Sequence, residues 1–113
     1  MKILKSKIIK ITNGKNLTVI SPVNIYEAEF GKDCFVGYGV IIINDKFENN
    51  EPARGNKTKW KRTQINSNVY IGSNSTILPV KICSNIVIGA GSVVSKNITK
   101  PGKYIGNPAK KLK

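Results

Sequence analysis

A spacing of six residues constrains this chain more than any other feature. Counted from Phe30, Val36, Ile65, Ile71, Ile82 and Ile88, a large apolar residue is followed one place on by a small or polar one: Gly31, Gly37, Asn66, Gly72, Cys83, Gly89. Three places on stands Asp, Asn or Gly, as at Asp33, Gly39, Asn68, Asn74, Asn85 and Gly91. The fifth place is small or β-branched, as at Cys34, Val40, Val69, Ser75, Ile86 and Ser92. Asp, Asn and Gly tolerate the left-handed backbone that a tight corner requires. The repeated apolar residue and the fifth residue can then point inward from successive short strands. The pattern predicts an all-β parallel helix of hexapeptides, a solenoid in which each coil stacks on the one before.

The phase reaches back to Asn24, with Ala28 in the fifth place, and forward to Ile42, where it breaks. From Ile43 to Gln64 the chain is polar and charged, and such a length without pattern inside a small domain predicts a functional loop. Phe47 and Trp60 supply it with apolar anchors that a solvated linker does not need. After Ile77 the register loses one residue on the way to Ile82, at a corner where Pro79 is tolerated. One domain, 1–113, is expected: an N-terminal cap (1–17), first coils (18–42), an inserted loop (43–64), later coils (65–97) and a C-terminal tail (98–113). At about eighteen residues per three-sided turn, the repeats predict about four coils.

With 40% hydrophobic residues in 113, the core is thin, and the flat outer faces of such a column predict assembly with partner chains. The net charge of +13 comes from lysines spread along the chain, without tyrosines interleaved as stacking platforms. It predicts a solvated basic surface that attracts small anions, not specific nucleic-acid binding. Met1 to Ile11 holds no continuous apolar segment and Val40 to Ile43 is too short to span a bilayer, so a cytoplasmic protein without membrane insertion is expected. Cys34, in an inward place, reads as a buried free thiol. The absence of histidine removes imidazole as base and as metal ligand, and no metal is expected.

Three segments, Ile71-Gly72-Ser73-Asn74-Ser75-Thr76-Ile77-Leu78-Pro79, Ile88-Gly89-Ala90-Gly91-Ser92-Val93-Val94-Ser95-Lys96 and Gly106-Asn107-Pro108-Ala109-Lys110, resemble the hexapeptide-repeat acyltransferases. The resemblance implies a left-handed β-helix assembled as a homotrimer. Asn24-Ile25-Tyr26-Glu27, Ile43-Asn44-Asp45-Lys46-Phe47 and Trp60-Lys61 around a long loop resemble the branch that N-acetylates nucleotide-linked amino sugars in polysaccharide biosynthesis. Relatives that acetylate hydroxyl groups use a catalytic histidine, which is missing here, and some members of the sugar branch carry histidine where Tyr38 stands. An amine acceptor suits a chain without imidazole, because a group with a pKa of about 7.7 to 8.0 is neutral in roughly a tenth of molecules at pH 7.

On this reading Asn44 orients the amine or donates to the thioester oxygen, and Asp45 binds substrate or accepts its proton; both residue types also favour a simple turn. The implied cofactor is acetyl-CoA, lying between neighbouring chains. Gly72, Ser73, Ala90, Gly91 and Ser92 would let its pantetheine approach the backbone, and Ser95, Lys96, Lys110 and Lys113 would meet its phosphates and adenine. Tyr26, Tyr38, Phe47 and Trp60 are the substrate-binding candidates. The reading from another class is a non-catalytic trimeric scaffold or binding module.

Overall fold

The computed structural model describes residues 6–45, 47–56 and 61–113. Fifteen short strands run β1 (Lys7–Ile9), β2 (Thr12–Asn13), β3 (Thr18–Val19), β4 (Asn24–Tyr26), β5 (Ala28–Phe30), β6 (Phe35–Val36), β7 (Ile41–Ile42), β8 (Thr63–Ile65), β9 (Val69–Ile71), β10 (Thr76–Ile77), β11 (Lys81–Ile82), β12 (Ile86–Ile88), β13 (Val93–Val94), β14 (Gly102–Gly106) and β15 (Ala109–Lys111). As far as β14, successive strands go to different sheets. Sheet A is ordered β1-β4-β7-β10-β13, sheet B β11-β8-β5-β2 and sheet C β15-β14-β12-β9-β6-β3. Every pairing is parallel except β14 with β15. The result is a parallel β-helix whose three faces are the three sheets.

All six corner residues read from the hexads have positive φ, from 56° at Asp33 to 76° at Gly39. The inward places form stacked columns. Ile25, Ile42, Ile77 and Val94 fill one, Phe30, Ile65 and Ile82 a second, and Val36, Ile71 and Ile88 a third, all buried. The fifth-place residues Ala28, Cys34, Val40, Val69, Ser75, Ile86 and Ser92 are buried between them. Two polar members are satisfied internally: the Ser75 and Ser92 hydroxyls both donate to the Gly89 carbonyl, at 3.1 and 2.7 Å.

The coil count differs from the expected four. Sheet A has five strands because Lys7–Ile9 pairs with Asn24–Tyr26, so the solenoid turns about five times and begins well before Thr18. Hexad reading missed this first coil because its corner residue, Lys10, takes a φ of 52° without being Asp, Asn or Gly. Glu27 does the same one coil on, with a φ of 53°. The return length also differs, since atoms meeting across adjacent coils are 17 residues apart. From Ile25 to Phe30 the chain takes five residues, and six each from Phe30 to Val36 and from Val36 to Ile42. The shortened step seen at Pro79 is thus a property of the whole A-to-B corner.

The loop leaves the third coil after Asn44 and returns at Lys61, whose N–H donates to the Asn44 carbonyl at 2.8 Å. Regular pairing extends further into both ends than the sequence pattern indicates: Ile43 N–H donates to Ile77 C=O, and β8 already starts at Thr63.

Candidate functional site

Sheet alternation sorts the candidates onto two corners of the prism. On the outer face of sheet C the register aligns Phe35, Tyr70 and Val87, all exposed. Two residues further along each strand lie Gly37, Gly72 and Gly89. A Cβ on Gly72 would sit 2.6 Å from the Ala90 nitrogen, and one on Gly37 would sit 2.8 Å from the Ser73 nitrogen. Only glycine fits there, because the next coil's corner crosses directly beside it. The outcome is a shallow trough with a glycine floor, an apolar ridge on one side and the corner residues Tyr38, Ser73 and Ala90 on the other.

At its C-terminal end the Ile105 side chain lies against Gly89, and Lys110 pairs with Ile105 across the hairpin. Tyr38, 53% exposed, stands one coil from Ser73 at this corner. Gly91, with φ 71°, is exposed, as is Ala90, whereas Gly72 and Ser73 are half-buried. Ser92 does not join them. It points into the column, donating to Gly89 C=O and accepting the Gly106 N–H at 3.1 Å, so it supports the corner from inside and does not line the trough.

Asn44 and Asp45 occupy the other edge of sheet A, where the loop departs. Stacking along this edge aligns Tyr26, Ile43, Leu78 and Ser95, which places Tyr26, Asn44, Ser95 and Lys96 on the same corner of different coils. Asn44 is half-buried with its carbonyl engaged by Lys61. Both oxygens of Asp45 accept backbone N–H bonds, Oδ1 from Phe47 at 2.9 Å and Oδ2 from Ala53 at 2.8 Å. The carboxylate therefore folds the loop back on its own neck, assisted by burial of Ala53. Phe47 projects outward, 59% exposed and with φ 54°. Trp60 lies outside the described residues. Lys110 and Lys113 are exposed on the C-terminal hairpin and its end.

Within one chain, then, the structure separates the catalytic candidates from most of the cofactor candidates by the width of sheet A. Sequence reasoning missed the ridge of Phe35, Tyr70 and Val87. Its signal was present as a large apolar residue two places before Gly in Phe35-Val36-Gly37, Tyr70-Ile71-Gly72 and Val87-Ile88-Gly89. Cys34 is buried, its Sγ 3.1 Å from the Asn66 carbonyl, and burial pushes its thiol pKa up. Such a thiol is structural. A cavity of about 320 Å³ lies against sheet B, lined by Gln64, Asn66, Lys81, Cys83 and Asn97.

Residues 62–96 match the family model described as the hexapeptide repeat of succinyl-transferase. The bifunctional protein GlmU of Wigglesworthia glossinidia brevipalpis is 37% identical over 93 residues, 81% of this chain and 18% of that protein. Among solved structures, Neisseria gonorrhoeae serine acetyltransferase in complex with serine superposes with a TM-score of 0.73 at 27% identity, over 90% of this chain and 40% of that one. A mutant of AntD, an N-acyltransferase from Bacillus cereus solved with dTDP-4-amino-4,6-dideoxyglucose and coenzyme A, superposes at 0.75 and 24% identity, over 93% and 63%. The chain thus spans under a fifth of the length of the curated relative and less than two thirds of either solved chain.

The fold defines the class: a left-handed parallel β-helix, against the right-handed rule for parallel crossovers. Within that class, the chain belongs to the hexapeptide-repeat acyltransferase family.

Proposed function

We propose that this chain is an acetyl-CoA-dependent N-acetyltransferase of a nucleotide-linked amino sugar, active as a homotrimer in the cytoplasm. The carrying observation is the division of the site between two corners. A three-fold arrangement of parallel prisms sets the loop corner of one copy against the glycine trough of the next, which unites Asn44 with Gly72, Ser73 and Ala90. The trough suits a thin flexible chain such as pantetheine, since its glycine backbone carries no side chain that would hold the ligand away. Lys110 at its end offers a cation to phosphate. An N-acyltransferase with this fold holds both coenzyme A and a nucleotide-linked amino sugar, so the architecture can accommodate the pair.

In the proposed reaction the amine nitrogen attacks the thioester carbonyl carbon, the C–S bond breaks, the thiolate leaves and the nitrogen loses a proton. Lack of a general base costs about 10² to 10⁴ in rate, while alignment of two reactants supplies effective molarities of about 10⁵ to 10⁸ M, so positioning carries the step. Asn44 is the group that orients the amine or donates to the carbonyl oxygen. Asp45, with both oxygens on loop N–H groups, contributes chiefly by shaping the loop that receives the sugar. A panel of nucleotide-linked amino sugars with acetyl-CoA, followed by thiol release, tests the reading. Turnover that rises with pH through the amine's own pKa supports it. Acetylation of hydroxyl compounds alone overturns it, and an absence of both turnover and coenzyme A binding leaves the scaffold reading.

A further inference from the structure

Charge is distributed unevenly along the solenoid. All six carboxylates lie between Glu27 and Glu51, whereas the chain from Pro52 onward carries Lys and Arg but no acid. In the fold these acids fall in the second coil and the loop of the third. The last coil and the hairpin carry Lys96, Lys100, Lys103, Lys110, Lys111 and Lys113, all exposed and none ion-paired among the described residues. One end of the prism is a purely cationic pole.

That pole is also studded with aliphatic side chains. β14 and β15 form an antiparallel ribbon in which Ile105 pairs with Lys110, and Leu112 N–H donates to the Lys103 carbonyl at 2.8 Å. Lys103 and Ile105 on one strand therefore alternate with Leu112 and Lys110 on the other. Ile105 is 42% exposed and Leu112 47%. Lysine alone would serve to protect an edge strand from pairing; exposed Ile and Leu beside it work against that purpose. Nucleic acid is a poor match, because the pole has no arginine and its one aromatic residue, Tyr104, is half-buried with its hydroxyl bonded to Lys100 C=O. We propose that this ribbon is a docking surface for a bilayer rich in anionic phospholipid, lysines meeting headgroup phosphates and Leu112 entering the boundary between headgroups and acyl chains. Attachment is peripheral, as no helix among the described residues is long and apolar enough to cross a membrane. Ile105 and Lys110 of this ribbon also end the glycine trough, so the test below uses residues outside it and its outcome is separate from that of the acyl-transfer reading.

Co-sedimentation of the full chain with phosphatidylcholine vesicles, with and without phosphatidylglycerol, tests it. Binding is expected to the anionic vesicles only, and to vanish at about 0.5 M salt, where charges are screened within a few ångström. Replacing Lys100 and Lys103 together by Ala, both exposed, should lower partitioning about 25-fold, at about fivefold per lysine. Leu112→Ser, which leaves charge unchanged, should lower it about tenfold. Equal binding to neutral and anionic vesicles, an unchanged Leu112→Ser, or tighter binding to duplex DNA than to vesicles at the same salt would each overturn the proposal.

Discussion

Inward and outward places along each strand differ in what they tolerate by far more than their similar residue types suggest. Ile71 lies between Val36 and Ile88 in a filled column, so Ile71→Asp places a carboxylate where nothing can pair it, at a cost of several kcal/mol. Soluble expression and thermal melting should show no cooperatively folded protein. Gln64, one place from Ile65 and exposed, should accept Asp within about 0.5 kcal/mol in the same assay. The two thiols divide in the same way. Cys34, buried and with its pKa raised, should resist maleimide until the chain unfolds, while half-buried Cys83 reacts in the native state. Native-state labelling of Cys34 at the rate of Cys83 would mean that its coil opens. At the loop neck, Asn44→Ala should reduce turnover by about 10² or more through lost orientation, with melting little changed.

Corners and strands were legible in sequence to very different degrees. A hexad corner announces itself because only a few residue types sit easily at positive φ, and Asn68, Asn74 and Asn85 each do so. Lys10 and Glu27 pay that conformational cost without the signature residue, which hid the first coil and the uniformly short A-to-B step. The loop's position was legible from its loss of pattern. Its internal order was not, because Asp45 reaches Ala53 eight residues away through a backbone N–H that any residue type carries. Trough and ridge follow from registry between coils, which single-strand alternation does not reveal. If the trough holds pantetheine, Val87→Arg, which crowds it from the exposed ridge, should raise the KM for acetyl-CoA about tenfold and leave melting unchanged. An unchanged KM would move the cofactor elsewhere.

At the scale of the whole molecule, the site candidates make sense only in more than one copy. Sedimentation equilibrium at micromolar concentration should give three times the mass of the chain; a monomer would remove the shared site. Mixing an Asn44→Ala chain with a Val87→Arg chain supplies the stronger test, since at sub-saturating acetyl-CoA the hybrid trimers should exceed the mean activity of the two parents, one site in each hybrid pairing an intact Asn44 with an intact trough. The family was readable from local motifs, but the partition of the site across an interface was not, because no sequence states which copy a corner faces.

The return of 17 residues, shortened to 16 in the last coil, has a consequence for how the chain acquires its structure. Each coil finds its template in the one synthesised just before it, so folding can advance like a zipper in the direction of synthesis, each step closing a loop of similar length. One step differs. Where Lys32 N–H meets the Ser67 hydroxyl the separation is 35 residues, and doubling a loop costs only about 0.6 kcal/mol of closure entropy. The solenoid therefore carries its protruding loop at little thermodynamic expense, and the loop can change in length and sequence while the coils on either side keep their register.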